Sequence, residues 1–139
     1  MNEVLAVPHC ARTSSRPERE THVITAPLLR FDLAAELEGL RRERPYREGD
    51  RNGKTLAKEG RHRVVLVALK SGAHFDENDP RGYLTLSVPM GRVSVAVDEG
   101  EAEIGAGEVA VLGHGQSWSG TALEDSALLM NFSWPPERS

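Results

Sequence analysis

The side chains best suited to chemistry in this sequence are two histidines and a short acidic run. His74 is followed closely by Asp76, Glu77 and Asp79, and His114 lies further along the chain. Imidazole and carboxylate groups bind divalent transition metals, and the same groups perform general acid/base catalysis. Either chemistry requires the two imidazoles to converge. The alternative, which we favour, is a pair of exposed loop histidines beside a solvated acidic run.

Other catalytic signatures are absent from the sequence. There is no phosphate-binding loop and no glycine-rich dinucleotide turn after a strand. The segment Gly113–Ser117 lacks the flanking pattern of a nucleophile elbow, and we interpret the Gly-x-Gly sequences at 105–107 and 113–115 as hairpin turns. The single cysteine, Cys10, has no neighbouring partner for a metal or catalytic site and excludes an intramolecular disulfide.

The composition is that of one ordinary soluble domain. The chain has 139 residues, of which 39% are hydrophobic and 27% are charged. A net charge of -4 and only 5% aromatic residues argue against nucleic acid as a partner. No apolar run approaches the roughly 18 to 20 residues that span a bilayer, and the first residues lack the basic region of a secretory signal. We expect a cytoplasmic protein that binds neither nucleic acid nor membranes.

One basic run stands out against this acidic total. Residues 41–63 contain many arginines and lysines, interspersed with a few acids. The run is either a solvated helix face and loop or a binding patch. We favour the first interpretation, because alternating charges are common on exposed segments.

Hydrophobic periodicity predicts one helix near the start of a single domain. The helix covers about 32–43, with Asp32 as its N-cap, and Pro45 ends it. Its buried face is predicted from apolar residues at helical spacing: Leu33, Leu37 and Leu40. We interpret residues 1–22 as a flexible arm, because this polar segment buries too little apolar surface to offset its ordering entropy. The domain then covers 23–135, followed by a tail at 136–139.

After the helix the pattern is that of β-strands. A further short strand, His22–Thr25, is predicted where the domain begins. The strands predicted after the helix cover 63–69, 83–88, 92–97, 101–104, 109–112, 117–123 and 127–134. Many short strands separated by glycine turns indicate an antiparallel sandwich or a closed barrel.

The glycine spacing in this β region resembles the two motifs of the cupin family. The first motif is Gly, five residues, His-x-His, three or four residues, Glu, six residues, Gly; Gly72 and Gly91 bracket it at the right distance. The second is Gly, five residues, Pro-x-Gly, two residues, His, three residues, Asn; Gly107 opens it and Gly115 takes the place of its internal glycine. These glycines are expected at tight turns between strands, where positive φ or close backbone approach is needed.

The resemblance extends over roughly residues 28–135 and implies the fold class. It implies an all-β chain that forms an antiparallel double-stranded β-helix, that is, a jelly-roll barrel of the RmlC-like cupin type, with one N-terminal helix. It also implies a homodimer that pairs through sheet faces or exchanged edge strands, since the edge of a sheet needs protection.

The metal ligands of the family motifs are replaced in this sequence. The resemblance assigns the five ligand positions to Asn78, Pro80, Leu84, Trp118 and Ala122. Leucine, proline and alanine have no side-chain donor atom, and an indole N–H is not a metal ligand. We therefore expect no metal and no other cofactor. The alternative is a displaced site at the barrel mouth, formed by His74 and His114.

The replaced positions leave two interpretations of the barrel interior. Because the family's ligand at position 84 points inward, residues 84, 86 and 88 should share the inward face, and Trp118 should point inward too. Trp118 either packs the core, which we favour slightly, or forms the floor of a pocket for a small apolar or aromatic ligand. In the second case Asn78 or Tyr83 would orient the ligand. The pocket candidates are Asn78, Tyr83, Leu84, Leu86 and Trp118.

The expected function follows from the replaced metal ligands and from the motif glycines that the sequence retains. We expect a metal-independent, cupin-like protein that binds a small molecule or serves as a structural or regulatory module, without catalysis. The first alternative is a dioxygenase-type or isomerase-type enzyme, or a metal-free acid/base enzyme, that uses His74 and His114. A second alternative is a sensor domain that reports to a separate DNA-binding protein.

Overall fold

The computed structural model describes residues 27–77, 82–113 and 117–134, and most of these residues form two antiparallel β-sheets. Within these ranges the elements are α1 (Leu33–Arg42), α2 (Arg44–Glu48), β1 (Arg51–Glu59), β2 (His62–Leu69), β3 (His74–Glu77), β4 (Tyr83–Met90), β5 (Arg92–Val97), β6 (Gly100–Gly105), β7 (Val109–Leu112), β8 (Trp118–Ala122) and β9 (Ser126–Ser133). The five-stranded sheet has the order β1-β2-β9-β4-β7, and the four-stranded sheet has the order β3-β8-β5-β6. The predicted all-β barrel with an N-terminal helix is confirmed.

The alternation of side chains along the strands builds the core between the two sheets. Leu84, Leu86 and Val88 on β4 are buried, as the period of two predicts, and they belong to one cluster with Val93 on β5. Trp118 on β8 belongs to the same cluster. Both sheets therefore contribute apolar side chains to a common interior.

The helix α1 covers the outer face of the five-stranded sheet. Asp32 is its N-cap, and the carboxylate accepts hydrogen bonds from the backbone N–H groups of Ala34 and Ala35 at 3.1 and 3.3 Å. Leu37 and Leu40 are buried in a second cluster that includes outward-facing residues of β2 and β9. Among the described residues, no helix is long and apolar enough to cross a membrane.

The prediction that Pro45 ends α1 is wrong. The helix α1 ends at Arg42, and Pro45 lies in the first turn of α2. Proline is well tolerated there, because the first N–H groups of a helix have no partner within the helix.

The interpretation of residues 41–63 as a solvated helix face and loop is correct for the exposed arginines of α1 and α2, but its second part is wrong, because β1 occupies 51–59. Lys54 on β1 is buried, and its Nζ atom lies 2.8 Å from Oε1 of buried Glu36 on α1. The amide of Asn52 donates to the backbone oxygen of Leu40 and to Oε1 of Glu43, both at 2.9 Å. The polar residues of β1 therefore attach α1 to the sheet.

Candidate functional site

One end of the barrel brings together two of the positions that the cupin motifs mark, Leu84 and Trp118. β3 ends and β4 begins at this end, and β7 ends and β8 begins there too, each pair on opposite sheets. A single row of paired residues crosses the five-stranded sheet at this level: Arg63, Phe132, Leu84 and Leu112. Trp118, which begins β8, faces it from the four-stranded sheet. We call this region the motif end.

The interior of the motif end is apolar and aromatic. Trp118 is only 8% exposed and packs edge to face on Phe75, with ring centroids 5.7 Å apart and planes at 64°. Leu84 is also buried there. The predicted inward orientation of Trp118 is therefore seen in the structure, together with an aromatic neighbour that the sequence pattern did not reveal.

Phe75 occupies space that a glycine leaves open. β3 pairs with β8 so that Phe75 lies directly opposite Gly120. A Cβ atom added to Gly120 would collide with the Phe75 ring. The sequence prediction missed β3, although the polar and apolar residues His74, Phe75 and Asp76 alternate as they do in a half-buried strand.

The side chains at the three described positions to which the resemblance assigns metal ligands do not fit a divalent metal. These positions hold Leu84, Trp118 and Ala122, all buried. None of these side chains offers the imidazole, carboxylate or thiolate donor that such a metal needs. No group of three or more His, Cys, Asp or Glu residues in the described ranges is placed to hold a metal ion.

Two of the predicted site residues lie on the outside of the barrel. His74 precedes inward-facing Phe75 on β3; its side chain is exposed, and its Nδ1 atom lies 3.1 Å from Oγ1 of Thr121. Tyr83 precedes Leu84 on β4 and is 49% exposed. Because adjacent residues of a strand face opposite sides, neither placement supports a role in the interior. Asn78, Pro80 and His114 lie outside the described residues.

Arg63 is a residue of the motif end that the sequence analysis did not single out. It lies on β2 in phase with inward-facing Val65 and Val67. Its guanidinium carbon lies 5.0 Å from the ring centroid of Phe132 and 5.1 Å from that of Trp134. These two rings stack on each other with centroids 5.8 Å apart and planes at 17°.

The guanidinium group of Arg63 has an unsatisfied donor. Its Nε atom is buried and has no hydrogen-bond partner among the described residues. A buried polar atom without a partner is unusual, because it loses its hydrogen bonds to water and gains none in return. The sequence signal for Arg63 was partial, since it begins the apolar strand predicted at 63–69, but its charge placed it in the basic run.

Comparisons with known proteins identify the fold. No family model matches the chain, and no curated protein sequence does. The structure is similar to that of KdgF from Halomonas sp., at 22% identity over 63% of this chain and 82% of that one, with a TM-score of 0.57. It is also similar to an RmlC-like cupin from Shewanella frigidimarina (19% identity, 64% and 80% covered, TM-score 0.57). A third similar structure is a cupin superfamily protein from Desulfitobacterium hafniense (13% identity, 61% and 78% covered, TM-score 0.58). The chain therefore has the cupin fold that the motif spacing implied.

Proposed function

We propose that this cupin-fold protein is a non-catalytic binding module that accepts a small, mainly apolar or aromatic molecule at the motif end without a metal ion. The observation that carries the proposal is the concentration of aromatic side chains there. The chain has two tryptophans and three phenylalanines, and both tryptophans lie at this end with Phe75 and Phe132. Aromatic faces are common linings of small-molecule sites in the mouths of β-barrels.

The residues at the motif ligand positions support binding without a metal. Leu84 and Trp118 give this end of the interior a surface that attracts apolar groups and cannot polarise a substrate, and Ala122, at the other end of β8, adds no donor atom. The outward direction of His74 leaves the alternative enzyme hypothesis without an interior imidazole from β3. The apolar side chains at the motif end therefore suit a binding role better than a catalytic one.

Metal content is the first prediction. Protein purified without an affinity tag or chelator should retain less than about a tenth of an equivalent of iron, manganese, nickel, copper or zinc, since a site without converging donors does not hold these ions. Elemental mass spectrometry measures this directly. The His74→Ala variant is the control. Near one equivalent in the wild-type protein, lost in His74→Ala, would overturn metal independence and revive the enzyme hypothesis.

Binding of a neutral aromatic probe is the second prediction. Benzyl alcohol should raise the melting temperature and change the tryptophan fluorescence saturably, because a ligand that binds only the folded state stabilises it. The Trp118→Leu variant should weaken this effect, whereas Tyr83→Leu, on the outer face, should leave it unchanged. Circular dichroism establishes that both variants fold. Equal weakening by the two substitutions, or no saturable response in the wild-type protein, would contradict the proposed site.

A further inference from the structure

We propose that Arg63 is an anion-binding group at the motif end, and that the ligand is therefore a small carboxylate with an apolar, ring-shaped body. This inference rests on the proposed function and makes its ligand class more specific. Three observations support it. Arg63 lies on the inward-facing side of β2, and its guanidinium group lies over two aromatic rings. The buried Nε donor of that group has no hydrogen-bond partner among the described residues.

The aromatic rings orient Arg63 without satisfying its hydrogen bonds. A guanidinium group has five N–H donors in one plane, and it is attracted to the face of an aromatic ring as a cation. Phe132 and Trp134 supply that attraction. The buried Nε donor still needs an acceptor, and no described residue provides one. An acceptor that reaches it must therefore come from another molecule or from outside the described residues.

The charge around Arg63 also favours an anion. Its neighbour in register on β1 is Lys58, a second cation, and no carboxylate in the described ranges forms an ion pair with Arg63. Several other arginines do have such partners, for example Arg42 with Glu38 and Arg44 with Glu48. The basic charge at Arg63 is thus partly buried and uncompensated within the described part of the fold.

A carboxylate matches both the charge and the geometry of this group. The two oxygens of a carboxylate accept parallel hydrogen bonds from the fork of a guanidinium group, and such bonds are stronger than those between neutral groups. Leu84 lies next to Phe132 in the same row of the sheet and offers an apolar surface beside the charge. A molecule with a carboxylate at one end and a ring at the other would use both surfaces.

The test compares a charged and a neutral probe of similar shape. Phenylacetate and benzyl alcohol are titrated at low ionic strength into the wild-type protein and into Arg63→Met, which keeps an apolar side chain of similar length. Isothermal titration calorimetry gives each Kd. We expect phenylacetate to bind at least about tenfold more tightly than benzyl alcohol. Arg63→Met should abolish this preference, so that the ratio of the two Kd values falls to near one.

Two further variants separate charge from geometry and position. Arg61→Met removes a neighbouring exposed arginine with the same change in net charge, and it should keep the wild-type preference. Arg63→Lys keeps the charge but loses the planar fork, and it should retain only part of the preference. If Arg61→Met and Arg63→Met reduce phenylacetate binding equally, a general electrostatic effect replaces the proposed site.

The outcomes distinguish this inference from the proposed function on which it rests. If both probes bind the wild-type protein equally well, Arg63 does not bind an anion, although the apolar site stands. If neither probe binds, both proposals are overturned. If inorganic phosphate binds as tightly as phenylacetate and depends equally on Arg63, the site recognises an anion without the ring-shaped body, and the proposed ligand class is wrong.

Discussion

Replacement of Gly91 by alanine is expected to lower the free energy of unfolding by at least about 3 kcal/mol. Gly91 lies at the turn between β4 and β5 with a φ of +92°, a value that residues with a side chain rarely adopt. A Cβ atom there would also collide with Oγ of Ser126 and lie 2.6 Å from the backbone oxygen of Asp125. Ser126 is fully buried and accepts a hydrogen bond from the N–H of Arg92, so it has little room to move.

Two other glycines provide matched controls for Gly91→Ala. Gly72 and Gly107 have φ of +89° and +85°, and a Cβ atom at either position would meet nothing within 4 Å. Gly72→Ala and Gly107→Ala should therefore cost only the backbone strain, on the order of 1–2 kcal/mol. Urea denaturation of the three variants measures the difference. Equal losses in all three would show that the contact with Ser126 and Asp125 contributes nothing.

The turns and the inward faces of the barrel could be predicted from sequence because each depends on local patterns. Gly72, Gly91 and Gly107 adopt the positive φ expected of the motif glycines. Leu84 and Leu86 are buried as the alternation along β4 predicts. In both cases the signal lies in the order and spacing of residues along the chain, so no knowledge of distant contacts is needed.

The elements that were missed depend on contacts between distant parts of the chain. β1 contains Asn52 and Lys54, residue types that are uncommon in buried strand positions, and Leu40 and Glu36 of α1, distant in sequence, are among their partners. β3 is short, and its burial depends on Gly120 of β8 leaving room for Phe75. The sequence pattern around each strand therefore indicated a loop.

The candidate site shows the same division between local and distant information. The inward orientation of Trp118 followed from its motif position, but its contact with Phe75 required the pairing of β3 with β8. Arg63 looked like one member of a solvated basic run, because Phe132 and Trp134, the rings beneath it, are distant in sequence. Composition and spacing alone cannot show which charge in a run faces the interior.

The buried ion pair between Lys54 and Glu36 should be one of the most sensitive contacts of the fold. Both side chains are almost fully buried, at 6% and 7% exposure, and the pair attaches β1 to α1. Lys54→Met should lower the free energy of unfolding by about 3–5 kcal/mol, because it leaves the carboxylate of Glu36 buried without its partner. Chemical denaturation of the variant at neutral pH measures this loss.

The double variant tests whether the loss comes from the missing partner or from packing. Lys54→Met combined with Glu36→Leu removes both charges and fills the space with apolar groups, and such replacements are often neutral or stabilising. We therefore expect it to recover most of the stability lost in Lys54→Met. Arg42→Met breaks the exposed Arg42–Glu38 pair, whose side chains are 75% and 63% exposed, and it should cost no more than about 0.5 kcal/mol.

If the double variant is as unstable as Lys54→Met, the ion pair itself stabilises the fold. The charges would then stabilise the attachment of α1 beyond what apolar packing can replace, and the loss would not be that of an unpaired carboxylate. Recovery would instead mean that apolar packing can replace the pair, with the contacts of Leu37 and Leu40 supplying the stability. The second outcome is the one expected from the burial of both leucines in the cluster beneath α1.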